Sequence, residues 1–218
     1  LDYLIASNRK GFGDAVPEFE DGRLNAEGKH VVVIGGGDTA MDCVRTAVRQ
    51  GAKSVKCLYR RDRDNMPGSQ REVANAEEEG VEFVWLSAPE RFTADSSVKE
   101  VVVMGLRLGV LVASDRRSPE PVPGRAFDLP ADMVIKALGF DPEELPQLFG
   151  SPDLSVTRWG TLRVDHQTMM TSLPGVFAAG DIVRGASLVV WGIRDGRDVS
   201  EAMSKWLKAK AKSERKAA

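Results

Sequence analysis

The sequence predicts an α/β fold built around a parallel sheet, followed by a second region of different character. Three observations predict it. Residues 29–42, KHVVVIGGGDTAMD, read as a β-strand, a glycine turn and the start of a helix. About twenty residues further on, a second apolar strand over 54–59 closes on Arg60-Arg61, the spacing at which a strand–helix–strand unit returns. After Pro142 the pattern changes, and an apolar strand over 176–179 runs into Gly180-Asp181.

In chain order, residues 1–8 are helical in character and 9–28 form a polar connector containing glycine and proline. Residues 31–34 are a β-branched run with no polar interruption, as in a central parallel strand covered on both faces. The helix over 38–50 is amphipathic through Ala40, Cys43, Val44, Ala47 and Val48. The strand over 54–59 leads into a polar loop, RRDRDNMPGS, and a helix over 70–79 stops at Gly80. A strand over 81–86 follows, ended by Pro89. Short strands over 98–108 and 109–113, with a Pro/Gly/Arg-rich loop over 115–125, predict a small antiparallel meander inserted in the parallel sheet. The strand over 133–137 is the last of this unit and runs into Leu138-Gly139-Phe140. Beyond Pro142 come a short strand over 162–164, the turn at Pro174-Gly175, the strand over 176–179 and a helix from about Ser187 into a basic tail.

The turn after the first strand has the chemistry of a dinucleotide-binding, Rossmann-like unit. Gly35 permits the tight turn, Gly37 leaves room for backbone to approach a phosphate, and Ala40 is the third small position, where helix packs on strand. The first-turn amides from Asp38 are unpaired and aligned with the helix dipole, which favours an anion. A glycine turn of purely structural use is the competing reading. It fits less well, because this turn follows a strand, opens an amphipathic helix and is followed by a second strand.

Cofactor choice turns on the end of that second strand. A carboxylate there would accept hydrogen bonds from a ribose 2′-hydroxyl, whereas arginine suits a 2′-phosphate. Arg60 and Arg61 therefore select NADPH, because a guanidinium fork pairs with phosphate oxygens in bidentate fashion. Asp62 and Asp64 leave open a solvated charge cluster as the alternative. Asp38 places a negative charge beside the pyrophosphate, yet at a helix start it also complements the dipole, and no catalytic role is assigned to it.

Composition narrows the function classes. The 218 residues can bury one ample core or two modest ones, and a net charge of −2 argues against a nucleic-acid partner. Basic residues cluster only over 205–216, alternating with alanine, as at a solvated helix end. There is no apolar run of membrane-spanning length and no signal-peptide pattern, so no membrane partner and a cytoplasmic location are expected. The two cysteines, Cys43 and Cys57, fall inside a helix and a strand, and His30 and His166 stand apart, so no metal site is expected. The chain begins at Leu1 without methionine and enters helical sequence at once, which reads as a piece of a longer polypeptide.

Several separate blocks carry a family resemblance: GGGDTAMDCVRTAVRQGAKSV, YRRDRDNMPGSQREVANAEEEGVEF, RRSPEPVPG, ADMVIKALGF and GVFAAGDIVRGASLVVWGIRDGR. Together they resemble the small-subunit family of NADPH-dependent glutamate synthases. More widely, they resemble the flavoprotein electron-entry modules related to dihydropyrimidine dehydrogenase. The resemblance implies a flavoprotein with two dinucleotide-binding domains, in which an NADPH-binding domain is inserted into a split FAD-binding domain. It implies hydride transfer from NADPH to FAD, with electrons passed through iron–sulfur clusters to the glutamate synthase large subunit.

Position by position, the resemblance implies that Gly35, Gly36, Gly37, Asp38, Thr39 and Ala40 form the pyrophosphate loop and that Arg60 and Arg61 read the 2′-phosphate. Ala137, Leu138 and Gly139 would lie against the nucleotide. Gly180 and Asp181 would meet the flavin's ribityl and phosphate groups, and Ser187, Leu188 and Val189 would open the helix that points at its ring. No side chain need act as acid, base or nucleophile.

The expected organisation is then 1–28 as the end of the first FAD-domain half, 29–140 as the NADPH-binding domain and 141–218 as the C-terminal part of the FAD-binding domain. The family's iron–sulfur region and first FAD phosphate loop lie outside this sequence, so the chain alone is expected to be inactive. Two other readings remain open: an NADPH-binding module without catalysis, and an electron-input subunit of a different reductase.

Overall fold

The structure is a computed structural model that describes residues 1–95, 97–111 and 117–217. Helix α1 (Asp2–Gly11) and the single turn α2 (Pro17–Glu20) lead into β1 (His30–Ile34). Then follow α3 (Asp38–Arg49), β2 (Ser54–Leu58), α4 (Gln70–Glu78) and β3 (Glu82–Val84). The chain continues through β4 (Ser87–Ala94), β5 (Val98–Leu111), β6 (Arg117–Pro130) and β7 (Met133–Lys136). Three helices follow: α5 (Leu145–Leu148), α6 (Asp181–Arg184) and α7 (Val189–Ala217). The chain divides into two compact units, Leu1–Gly139 and Phe140–Ala218.

In the first unit four parallel strands lie in the order β3-β2-β1-β7. β1 is central, with Val31 opposite both Val55 and Met133. Its alternation explains the apolar run. Val31 and Val33 join Ala40, Cys43, Val44, Ala47, Val73 and Ala76 under the helices, whereas Val32 and Ile34 join Leu58, Val101, Val103 and Leu129 on the other face. A strand buried on both faces has no position for a polar residue, and each fully buried valine contributes roughly 1.5–3 kcal/mol. Arg45 ties the helical layer together by pairing with Glu72 and Glu79.

The second face is covered by a separate three-stranded antiparallel sheet, β4-β5-β6, which does not intercalate between the parallel strands. Several segments differ from expectation. The predicted strands over 98–108 and 109–113 are one strand, β5, with register shifts between Met104 and Leu106 and between Leu108 and Leu111. Residues 117–125, expected as loop, form the first part of β6. Positions 112–116, which include the end of the expected strand and the start of the expected loop, lie outside the described residues.

The proline content suggested a loop, but Pro119, Pro121 and Pro123 alternate. The missing N–H groups of Pro119 and Pro121 therefore fall on one side of an edge strand that still pairs with β5 through Leu108 and Leu106, and Pro123 falls inside the register shift. Pro89 likewise lies inside the edge strand β4, at a register shift, instead of ending a strand. The strand expected over 81–86 is divided at Leu86, whose φ of 51° turns the chain from one sheet to the other.

In the second unit, the expected strands over 162–164 and 176–179 reduce to isolated bridges, Val156 with Leu162 and Met170 with Phe177. A strand needs a continuous neighbour to fill its hydrogen-bond ladder, and the described residues of this unit supply one partner position each. α7 begins at Val189, so Ser187 and Leu188 precede it. The helix is seated by Trp206, which meets Phe177 edge-on at 6.0 Å and closes over Gly175, where a β-carbon would lie 2.9 Å from the indole.

Candidate functional site

The three glycines after β1 answer three different needs. Gly35 has φ +148°, and a β-carbon there would lie 2.1 Å from the Ala137 carbonyl oxygen, so the approach of β7 demands glycine. At Gly36 a β-carbon would lie 2.4 Å from the Tyr59 ring. Gly37 is the N-cap of α3, with φ −91° and ψ 177°, a backbone any residue adopts, and a β-carbon there would meet nothing within 4 Å. Among the described residues no side chain caps α3. The Asp38 and Thr39 amides stand at the positive end of the helix dipole, whereas the Ala40 amide already donates to the Gly37 carbonyl at 2.9 Å. Ala40 is fully buried in the helix–sheet core, and Thr39 stays part-exposed on the first turn.

The arginine loop is docked onto this turn. The Gly68 amide donates to the Gly36 carbonyl at 2.8 Å, and the Ser69 amide donates to Asp38 Oδ1 at 2.9 Å. The Tyr59 hydroxyl donates to the Asn65 carbonyl at 3.0 Å, and Met66 is buried beneath the loop. Inside it, Asp62 Oδ1 accepts from the Asn65 amide at 3.0 Å and from its side chain at 2.6 Å. Arg63 is committed to Glu77 at 2.6 Å. Among the described residues, Arg60 and Arg61 have no ion-pair partner, and the Arg61 Nε is buried without a hydrogen bond.

Two guanidinium groups thus stand uncompensated at the end of β2. The roles of Gly68 and Ser69 have no local signal in the sequence, because their partners, Gly36 and Asp38, lie about thirty positions away. Ala137 packs against Gly35, while Leu138 is 71% exposed and Gly139 has φ +97°.

In the second unit, Gly180 has φ +78° and N-caps the short α6, which begins at Asp181. The Asp181 side chain is exposed. A residue not singled out in the sequence holds this corner: Asp195 of α7 is buried and accepts from Arg184 Nε at 3.0 Å and from its NH2 nitrogen at 2.5 Å. The Arg184 pairing holds the Asp195 carboxyl below the usual carboxylate range. Arg184 also lies over the Trp191 ring at 5.1 Å. Leu188 and Val189 are exposed where α7 begins. Among the described residues no group of three or more His, Cys, Asp or Glu side chains is placed to hold a metal ion, and no helix is long and apolar enough to cross a membrane.

The sequence profile described as pyridine nucleotide-disulphide oxidoreductase matches residues 6–205. The chain belongs to the pyridine nucleotide-disulphide oxidoreductase family. It is 65% identical to the glutamate synthase (NADPH) small chain of Azospirillum brasilense, over 98% of this chain and 44% of that protein. It is 39% identical to the NADP(+)-dependent formate dehydrogenase subunit beta of Moorella thermoacetica, over 94% of this chain and 30% of that protein. The chain thus spans less than half the length of each of these relatives. Among solved structures it superimposes on a thioredoxin reductase of Lactococcus lactis with TM-score 0.68 at 22% identity, over 88% of this chain and 57% of that one. The pyridine nucleotide-disulphide oxidoreductase fold accounts for the parallel sheet with its glycine turn and for the small antiparallel sheet packed on it.

Proposed function

We propose that this chain supplies the NADPH-binding domain and the C-terminal part of the FAD-binding domain of a glutamate synthase small subunit. The observation that carries the reading is the open turn at Gly37 together with two uncompensated arginines at the end of the neighbouring strand β2. A β-carbon at Gly37 would fill the space a pyrophosphate needs, and the buried, unpaired Arg61 Nε is a donor waiting for an oxygen. The exposed carboxylate of Asp181, at a helix start, suits a flavin hydroxyl in the same way. When bound, NADPH supplies a hydride and FAD accepts it.

Everything this chain adds is placement and charge. The α3 amides and Gly37 hold the pyrophosphate, Arg60 and Arg61 grip the 2′-phosphate, and Ala137, Leu138 and Gly139 border the nucleotide. Gly180 and Asp181 hold the ribityl side of the flavin, and Ser187, Leu188 and Val189 bring the start of α7 to its ring, where the dipole favours negative charge. Iron–sulfur clusters outside this sequence and the glutamate synthase large subunit are the proposed electron acceptors, in the cytoplasm. The similarity to a formate dehydrogenase subunit favours a second reading, in which the same input module serves another reductase.

Calorimetric titration with NADPH and NADH tests the reading. Arg60→Ala with Arg61→Ala should weaken NADPH binding by roughly 2–3 kcal/mol, about 30- to 150-fold, and leave NADH nearly unchanged. Equal losses for both nucleotides would refute the 2′-phosphate assignment. A visible flavin absorbance retained on purification would support the FAD half.

A further inference from the structure

We propose that Asp38 is a positioning residue that sets NADPH selectivity by fastening the arginine loop to the pyrophosphate turn. The inference rests on reading Arg60 and Arg61 as the partners of the 2′-phosphate. A carboxylate in the first turn of a helix complements the dipole but repels an anion bound there, and its presence calls for a further role. The structure supplies one. Asp38 Oδ1 accepts the Ser69 amide at 2.9 Å, and Ser69 is the N-cap of α4, so the carboxylate also lies at the positive end of a second helix.

Beside it, the Gly68 amide donates to the Gly36 carbonyl at 2.8 Å. These two bonds tie the far end of the loop directly to the turn. The near end is tied by the Leu86 amide, which donates to the Arg61 carbonyl at 3.0 Å. Between the two ends, Asp62 and Asn65 close the loop on themselves, and Arg63 is spent on Glu77. Arg60 and Arg61 are thereby presented at a set distance from the α3 amides. One nucleotide places both its anionic groups against this frame at once, so slack in the loop weakens the 2′-phosphate contact and spares the pyrophosphate.

Three variants separate this role from charge and from folding. Asp38→Ala removes the acceptor, Asp38→Asn keeps an acceptor oxygen and removes the charge, and Ser69→Pro removes the donor while keeping Asp38. The Ser69 φ of −56° already suits proline. The readout is the ratio of NADPH to NADH dissociation constants, with melting temperature measured alongside. Asp38→Ala and Ser69→Pro should each lower NADPH selectivity about tenfold, the scale of one charge-assisted hydrogen bond. Asp38→Asn should retain the selectivity and tighten both nucleotides alike.

Equal weakening of both nucleotides by Asp38→Ala would overturn the role of Asp38, as would a loss of selectivity in Asp38→Asn as large as in Asp38→Ala. A wild-type chain with no preference for NADPH would overturn the arginine reading beneath it. A wild-type preference that survives Asp38→Ala would overturn the fastening role alone.

Discussion

Replacing each of the three glycines after β1 by alanine separates the fold from the binding site within three consecutive residues. At Gly35 the new methyl would lie 2.1 Å from a backbone oxygen, on a backbone at φ +148°. No rotamer relieves that contact, so Gly35→Ala should cost roughly 3 kcal/mol or more. For a chain of this length that corresponds to about 2–4 °C of melting temperature per kcal/mol. At Gly36 the methyl meets the edge of the Tyr59 ring at 2.4 Å. Displacing a buried ring costs about 1–3 kcal/mol, and it disturbs the loop that Tyr59 holds through Asn65.

At Gly37 nothing lies within 4 Å and the backbone is ordinary. Alanine there loses a few tenths of a kcal/mol to about 1 kcal/mol as an N-cap and regains about 0.4–1 kcal/mol from the stiffer unfolded chain. The net effect on stability should be within about 0.5 kcal/mol, while the methyl would take up space that the proposed pyrophosphate needs. Losing one charge-assisted bond to an α3 amide weakens NADPH and NADH alike by at least about tenfold. Thermal unfolding by circular dichroism, paired with calorimetric titration of both nucleotides, reads the two effects separately. A Gly37→Ala protein that binds normally, or one destabilised as much as Gly35→Ala, would refute the assignment of that open space to the ligand.

The other predictions follow from burial and charge. Burial pushes the Cys43 thiol up to about 11 and the Cys57 thiol up to about 12, so at pH 8 roughly one part in a thousand or less is thiolate. The folded chain should resist iodoacetamide while the denatured chain is fully alkylated, and native-state labelling of either thiol would contradict the packing described. Asp195 is shifted downward by Arg184, so this pair contributes stability that is fully present above the unfolded carboxylate value of about 3.9 and is lost as pH falls through the lower folded value. Asp195→Asn should therefore lower the melting temperature at neutral pH and flatten the acid limb of the stability curve. An unchanged acid limb would show that the pair contributes nothing.

Much of the first unit was legible because its signals are local. The run Val31 to Ile34, the amphipathic spacing over α3 and the stop at Gly80 each depend on neighbours a few residues apart, and the structure builds each of them. The proline-rich start of β6 was not legible as a strand, because composition speaks for a loop whereas period-two placement on an edge strand permits pairing. The strand over 176–179 has the right composition and lacks a continuous partner among the described residues. Asp38 was visible, but its partner was not, since nothing in residues 38 or 69 alone says that they meet.

The sequence by itself determined that a strand, a glycine turn and a helix stand ready for an anion, and that arginine rather than a carboxylate follows the second strand. Those properties belong to consecutive residues, whose backbone freedom and charge are intrinsic. Only the tertiary structure decided which glycines meet a close neighbour and which one stands open, which arginine is already spent, and what Asp38 holds. Those answers depend on which distant atoms come within contact or hydrogen-bonding distance, and that is settled by the packing of sheet, helices and loop together.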